Sequence, residues 1–285
     1  MMIAVIGKNG QLAWELKRLA SDRCICLGRE DIDLSDKSAI QEKLEAREIT
    51  AVINASAYTA VDKAESDEEA ARALNVTAVK NLAEYCREKQ LQLVHCSTDY
   101  VFDGEKGAPY AVDDKIEPQG VYGKTKAEGE QALQAILPDR STIIRTSWVY
   151  SAHGNNFVKT MLRLMAEKPA LTIIDDQIGS PTWAKGLAEA CLEAVDKKIT
   201  GVYHWSDEGV CSWYDFALAI QQLGRETGLL DTAIPVAPIP TEDYPTPAKR
   251  PHYSVLDKTL TRKTFSDATL THWRQQLSAM MNELK

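Results

Sequence analysis

The chain has 285 residues, 44% hydrophobic and 26% charged, enough for one large globular domain or two small ones with a real core. Its net charge of −8 is spread along the sequence, which argues against a nucleic-acid-binding surface, so any anionic ligand must be held locally by helix N-termini and a few placed basic residues. The opening apolar run is too short for a signal peptide and ends in glycine, and no segment reaches transmembrane length, so a cytoplasmic protein with reduced thiols and no membrane partner is expected.

In chain order, short apolar runs at 3–6, 24–27, 51–54, 91–96 and 141–144 predict strands, with helical patterns near 10–20, 36–47, 67–90 and 121–136 between them. Continuous apolar strands separated by helices predict a parallel sheet covered on both faces, the doubly wound α/β plan of Rossmann type. Beyond residue 146 tryptophans and prolines concentrate, and helices near 155–167, 183–196, 212–224 and 267–284 predict a smaller C-terminal α/β lobe. We therefore expect a nucleotide-binding domain over 1–147, with a segment near 176–203 returning to it, and a lobe built mostly from 148–285.

Gly7-Lys8-Asn9-Gly10-Gln11-Leu12-Ala13 follows the first strand and opens a helix. The glycines permit a tight turn and close approach of backbone to a pyrophosphate, which the helix N-terminus favours electrostatically. The spacing is Gly-x-x-Gly-x-x-Ala, and alanine at the third place still allows close helix–strand packing. The second strand ends at Leu27-Gly28-Arg29-Glu30 with no acid placed directly for both ribose hydroxyls. Arg29 is either a partner for a 2′-phosphate, which favours NADPH over NADH, or a plain surface residue. Small residues end the third strand, Asn54 to Thr59, as a backbone lying against a cofactor requires.

Tyr122 and Lys126 stand four apart, on one face of a helix. A phenol ordinarily titrates near 10. An ammonium about 4 Å away is worth roughly 4 kcal/mol at an effective dielectric of about 20, enough to draw the phenol down by about three pH units. Such a phenol can exchange a proton near neutrality, where general acid–base catalysis works best. The plainer reading of the pair is a half-exposed tyrosine beside a solvated lysine.

These residues together resemble the extended short-chain dehydrogenase/reductase superfamily. The blocks that carry the resemblance include Gly10-Gln11-Leu12, Ala57-Tyr58-Thr59 onward to 65, Ser97-Thr98-Asp99-Tyr100 onward to 104, and 122–130. Further blocks are Arg145-Thr146-Ser147-Trp148 onward to 150, 156–158, 176–182 and Arg250-Pro251, so the likeness runs nearly the whole length. It is closest to the branch that reduces the C4 ketone of dTDP-4-dehydro-L-rhamnose, the last step of dTDP-rhamnose synthesis for cell-surface polysaccharide. Ala13 stands where that branch usually has glycine, and Ser56 where alanine is common.

The resemblance implies a catalytic set of Thr98, Tyr122 and Lys126. Tyr122 protonates the C4 oxygen as hydride reaches carbon, Thr98 hydrogen-bonds the same oxygen, and Lys126 lowers the Tyr122 pKa and holds the nicotinamide ribose. Cofactor contacts are implied at Gly7, Gly10, Gln11, Leu12, Arg29, Asp33, Leu34, Ala57, Tyr58, Thr59 and Cys96, besides Tyr122 and Lys126. Contacts to a dTDP-sugar are implied at Thr98, Asp99, Trp148 and Arg250. Competing readings are a turn after a strand for Thr98-Asp99, a core indole for Trp148 and a solvated loop cation for Arg250. The five histidines form no zinc spacing. Members of the branch can use Mg²⁺ at a subunit interface through glutamates, which adds Mg²⁺ and a homodimer to the expectations; Glu15 stands at a candidate position, against the simpler reading of a surface helix glutamate. Two other functions stay open: a 4-ketoreductase giving a different deoxysugar stereoisomer, and a non-catalytic NADP-binding regulatory subunit.

Overall fold

The computed structural model describes residues 2–285. The N-terminal half runs β1 (Met2–Ile6), α1 (Gln11–Leu19), β2 (Cys24–Leu27), α2 (Lys37–Glu45), β3 (Ile49–Asn54), α3 (Val61–Ala64), α4 (Glu68–Arg72), a π-helical turn (Ala73–Thr77), α5 (Ala78–Glu88), β4 (Gln92–Thr98), α6 (Val121–Ile136) and β5 (Ser141–Thr146). It continues through β6 (Val149–Tyr150), α7 (Phe157–Glu167), β7 (Leu171–Ile174), β8 (Ile178–Gly179), β9 (Thr182–Trp183), α8 (Ala184–Asp196) and β10 (Gly201–His204). The chain ends with β11 (Cys211–Ser212), α9 (Trp213–Glu226), β12 (Val236–Ile239), α10 (Thr259–Thr264) and α11 (Trp273–Asn282).

Six strands form one sheet in the order β10-β5-β4-β3-β1-β2, every pairing parallel. Strand order reverses at β1, with β2 on one side and β3 on the other, and in open α/β sheets ligands bind outside the carboxyl ends of the strands at that reversal. The strands read as unbroken apolar runs because both faces are covered. On one face Ile3, Val5, Val94 and Ile144 pack with Leu12 and Leu16 of α1 and Leu187 and Cys191 of α8. On the other, Ala4, Ile6, Val52, Leu93 and Ile143 pack with Ile40, Leu44, Leu82 and Leu133 from α2, α5 and α6. Burying a leucine or isoleucine in such a layer contributes about 1.5–3 kcal/mol.

The remaining elements enclose a third core of Tyr150, Met161, Trp183, Phe216, Ile220, Trp273 and Leu277, drawn from β6, β9, α7, α9 and α11. β12 pairs in parallel with β7, so the proline-rich stretch is ordered through its ladder. The helical pattern near 67–90 is broken by the π-helical turn, whose Asn75 side chain accepts from the Tyr58 N–H (2.9 Å) and donates to Thr125 Oγ1 (3.0 Å). The pattern near 267–284 resolves into the shorter α11, with the preceding residues non-helical. No helix among the described residues is long and apolar enough to cross a membrane. All six cysteines are free thiols.

Candidate active site

A cleft of about 860 Å³ opens at the carboxyl ends of β1, β2, β3, β4 and β5. Its floor begins at Gly7, whose φ of +111° and whose approach to Ala55 and Ser56 exclude any side chain: an added Cβ would lie 2.9 Å from the Ala55 carbonyl carbon and the Ser56 nitrogen. The turn closes with the Gly10 N–H donating to the Gly7 carbonyl (2.8 Å), and α1 starts there. Gly10, Gln11 and Leu12 therefore line the wall at a helix N-terminus, where unpaired N–H groups favour an anion. Arg29, Asp33 and Leu34 line the β2 side, Ala57 and Thr59 the β3 side, and Cys96, Tyr122 and Lys126 the far end. Arg29 is exposed at the rim. Asp33 accepts from the Ser35 N–H (2.9 Å) and hydroxyl (2.7 Å), which hold its carboxyl below the usual range.

The far end of the cleft is made by α6 lying across the end of β4. Gly123 permits the approach, since a Cβ there would sit 2.1 Å from the Tyr100 carbonyl oxygen. The close packing sets the Tyr122 ring edge-on to Tyr100, centroids 5.5 Å apart, and brings the Thr98 hydroxyl into hydrogen-bonding reach of the phenol. Thr98 itself is buried, donates to Asp99 Oδ1 (3.0 Å) and accepts from the Tyr100 N–H (3.2 Å). Lys126 is 1% exposed, and its Nζ donates to the Cys96 carbonyl (2.7 Å) and lies 3.2 Å from His95 Nε2. Burial draws the ammonium down to about 8, against the pull of Cys96 and Glu130.

The expected lowering of the Tyr122 pKa by Lys126 is not what this geometry produces. Burial pushes the phenol up to about 12, the Thr98 hydrogen bond lowers it and Asp99 raises it. Lys126 is turned toward the backbone of β4, so its charge is spent on Cys96 and His95 rather than on the phenol. Without further charge in the cleft Tyr122 is thus a protonated phenol at neutral pH. That is the form a proton donor requires.

On the substrate side, Asp99 is 3% exposed, and burial lifts its carboxyl to about 6 while hydroxyls of Ser254 and Thr98 pull it back. Arg250 is not a solvated loop cation: its Nη2 donates to Asp62 Oδ2 (2.7 Å), and its Nη1 is buried without a hydrogen-bond partner among the described residues. Trp148 takes a left-handed backbone (φ +48°) and stacks on Trp213, centroids 3.6 Å apart at 11°. Its indole lies across Gly179, where a Cβ would come within 2.7 Å of the ring.

The whole chain, residues 1–285, matches the family model described as the RmlD substrate binding domain. It belongs to that family. A dTDP-4-dehydrorhamnose reductase of Escherichia coli K12 is 38% identical over 295 aligned positions, covering 100% of this chain and 98% of the relative. The crystal structure of a dTDP-4-dehydrorhamnose reductase from Clostridium acetobutylicum superposes with a TM-score of 0.93 at 39% identity, covering 100% of this chain and 99% of that one. That of the Bacillus anthracis enzyme in complex with NADP superposes at 0.92 with 31% identity, covering 99% and 100%.

Within this RmlD-type fold, twelve of the thirteen expected cofactor positions, all but Tyr58, line the one cleft. Tyr58 turns away, its phenol donating to Asp67 Oδ2 (3.1 Å) and its backbone tied to Asn75. Sequence reasoning missed Ser97, Thr146, Asn155 and Leu187 on the cleft wall; the last comes from α8, which no motif marks. Glu15 is not a surface glutamate: it is fully buried, accepting from Arg18 Nη2 (2.7 Å) and the Ser151 hydroxyl (3.0 Å). Its carboxylate is thereby already engaged, and no group of three or more His, Cys, Asp or Glu among the described residues is arranged to hold a metal ion.

Proposed function

We propose that this protein is an NADPH-dependent oxidoreductase that reduces the C4 ketone of dTDP-4-dehydro-L-rhamnose to dTDP-L-rhamnose. The observation that carries the reading is the placement of Tyr122 and Lys126 at one end of a dinucleotide-sized cleft, with Thr98 buried just behind its wall beside the phenol. The residues fit a nicotinamide dinucleotide: a glycine turn that a Cβ would fill, a helix N-terminus beside it, and a buried Ser97 hydroxyl on the same wall with no hydrogen-bond partner among the described residues. When bound, that cofactor supplies the hydride. In this reading residues 1–147 with the α8–β10 return form the cofactor half, and 148–285 mostly hold the sugar nucleotide.

Tyr122 gives its hydroxyl proton to the ketone oxygen as negative charge develops there, and the Thr98 hydroxyl turns from Asp99 to donate to the same oxygen. Lys126, with Nζ donating to the Cys96 carbonyl and in contact with His95 Nε2, keeps an N–H for the ribose hydroxyls. Arg250 Nη1 supplies a donor for the substrate diphosphate, with Asp62 fixing the guanidinium. Trp148 walls the sugar site through its stack on Trp213.

The test is NADPH oxidation with enzymatically made dTDP-4-dehydro-L-rhamnose, with product stereochemistry read by NMR. Oxidation with dTDP-L-rhamnose as product is expected. Turnover only with another 4-keto sugar would move the assignment to a reductase of different stereochemistry. Co-purification with a synthetase and no ketone reduction would favour the regulatory subunit.

Cofactor choice is tested separately at the rim. Arg29→Ala is expected to raise the KM for NADPH about tenfold, the worth of one charge-assisted contact, and to leave that for NADH within about twofold. Equal changes for both cofactors would remove Arg29 from 2′-phosphate recognition.

A further inference from the structure

His95 lies under the cleft, fully buried between β3 and α6. Its Nδ1 is 3.1 Å from Asn54 Nδ2, and its Nε2 is 3.2 Å from Lys126 Nζ. Beyond it, Asn54 Oδ1 accepts from the Ser56 N–H (3.1 Å) and hydroxyl (2.7 Å), and Ser56 lines the cleft. The four residues form a continuous hydrogen-bonded chain that leaves the cleft at Ser56 and returns to it at Lys126. We infer that His95 is a positioning residue for Lys126, fixing Nζ at the floor of the cofactor cleft and changing tautomer with the Lys126 charge; the inference rests on the reading of Lys126 as a cofactor-holding residue.

The proton count of the imidazole decides its tautomer. A neutral imidazole has one N–H and one lone pair. Burial, with the Lys126 charge beside it, keeps His95 neutral by holding its pKa well below the ordinary value. When Lys126 is an ammonium, Nζ–H donates to Nε2, so the imidazole proton sits on Nδ1. Asn54 must then turn its oxygen toward that proton, and its amide NH₂ faces the Ser56 N–H, which loses its acceptor. When Lys126 is a neutral amine, Nε2–H donates to the Nζ lone pair, Nδ1 accepts from Asn54 Nδ2, and Asn54 Oδ1 keeps both Ser56 donors. Every buried group is then paired, which is the arrangement observed at Asn54. Depriving the half-buried Ser56 N–H of its Asn54 acceptor is what makes the alternative costlier.

The groups facing Lys126 are few. Cys96 lies beside it on β4, and Glu130 and Tyr122 share its helix, with Glu130 already paired to Arg145 of β5. With Lys126 drawn down to about 8 by burial, both charge states lie close to neutrality. The tautomer of His95 is thus coupled to the state of a residue that holds cofactor, from a position that never touches cofactor or substrate.

The experiment is ¹⁵N NMR of the histidine-labelled full chain, without cofactor or substrate, through the titration of Lys126. The His95 proton is expected on Nδ1 below that titration and on Nε2 above it, and Lys126→Met is expected to abolish the change. A single tautomer throughout, an imidazolium signal, or a switch that persists in Lys126→Met overturns the inference. In kinetics, His95→Phe keeps the ring volume and is expected to lower kcat about 10–100-fold, as a small displacement of a reacting group does. Its alkaline limb should move while the KM for NADPH stays within about twofold, and His95→Gln should recover most of the loss. A folded His95→Phe enzyme with the wild-type pH profile also overturns it. The NMR readout needs no substrate, so a failure of the proposed ketone reduction is distinguishable from a failure here.

Discussion

Tyr122→Phe is expected to fold, to bind NADPH as the parent does, and to lose about 10³-fold in kcat, the middle of the range for removing a positioned general acid. That loss corresponds to about 4 kcal/mol of transition-state stabilisation, at about 1.36 kcal/mol per tenfold. The fold should tolerate the change because only the hydroxyl goes: the ring keeps its edge-on packing against Tyr100, and the one polar group deprived of a partner is the Thr98 hydroxyl, which retains Asp99. The measurements are steady-state NADPH oxidation and cofactor titration by fluorescence. Turnover within about tenfold of the parent would show that the proton reaches the ketone oxygen by another route.

The state of the phenol gives this expectation a pH signature. With its pKa pushed up to about 12, Tyr122 stays protonated across the neutral range and needs no lowering to act as a donor in the reductive direction. The neighbouring Asp99, lifted to about 6, changes charge on the acid side of neutrality, as Lys126, drawn down to about 8, does on the basic side, and ionised Asp99 raises the phenol further. The reductive rate should therefore show no basic limb from Tyr122 itself. A basic limb that disappears in Lys126→Met would instead report the ammonium.

The contrast with the expectation from spacing shows what a sequence carries. Tyr122 and Lys126 do lie on one face of α6, as four-residue spacing requires. The direction of the Lys126 side chain was not legible, because it is fixed by the Cys96 carbonyl and by His95, both supplied by β4 from a distant stretch of chain. The sheet was legible because strands buried on both faces are written as unbroken apolar runs, and Ile3 to Ile6 or Ile143 and Ile144 admit little else. β10 was harder: four residues, Gly201 to His204, with an exposed glycine and a half-buried valine at its start, have no strand pattern of their own and gain a place in the sheet only from β5. The π-helical turn at Ala73–Thr77 keeps helical periodicity on both sides, so only its Asn75 contacts reveal it. Glu15 reads as solvent-facing on a helix, and is buried because Ser151 arrives from 136 residues later in the chain to cover it.

The second large effect is expected at the C-terminal half of the same helix. Glu130, one turn beyond Lys126, meets Arg145 of β5 in an ion pair with both side chains almost wholly buried, 1% and 3% exposed. The guanidinium donates from Nη2 to Oε2 (2.8 Å), from Nε to both carboxylate oxygens (3.1 Å each), and from Nη1 to the Val112 carbonyl (3.0 Å). It also lies over the Phe102 ring at 5.1 Å, beside His204, whose pKa falls to about 3 through burial and then the Arg145 charge. Among the described residues Glu130 is the one carboxylate in ion-pair contact with Arg145. Glu130→Ala is therefore expected to cost about 3–5 kcal/mol, the usual penalty for stranding one charge of a buried pair. A loss of that size lowers the melting temperature by roughly 5–8 °C in a chain of this size. Removing both charges with Glu130→Leu and Arg145→Met should cost less than the single change, because the stranded cation rather than the lost attraction dominates. Calorimetry of the singles Glu130→Leu and Arg145→Met and of the double closes the cycle. A double variant no more stable than Glu130→Leu would mean that the pair is worth its own Coulomb attraction, and that α6 is held to β5 by charge rather than merely relieved of it.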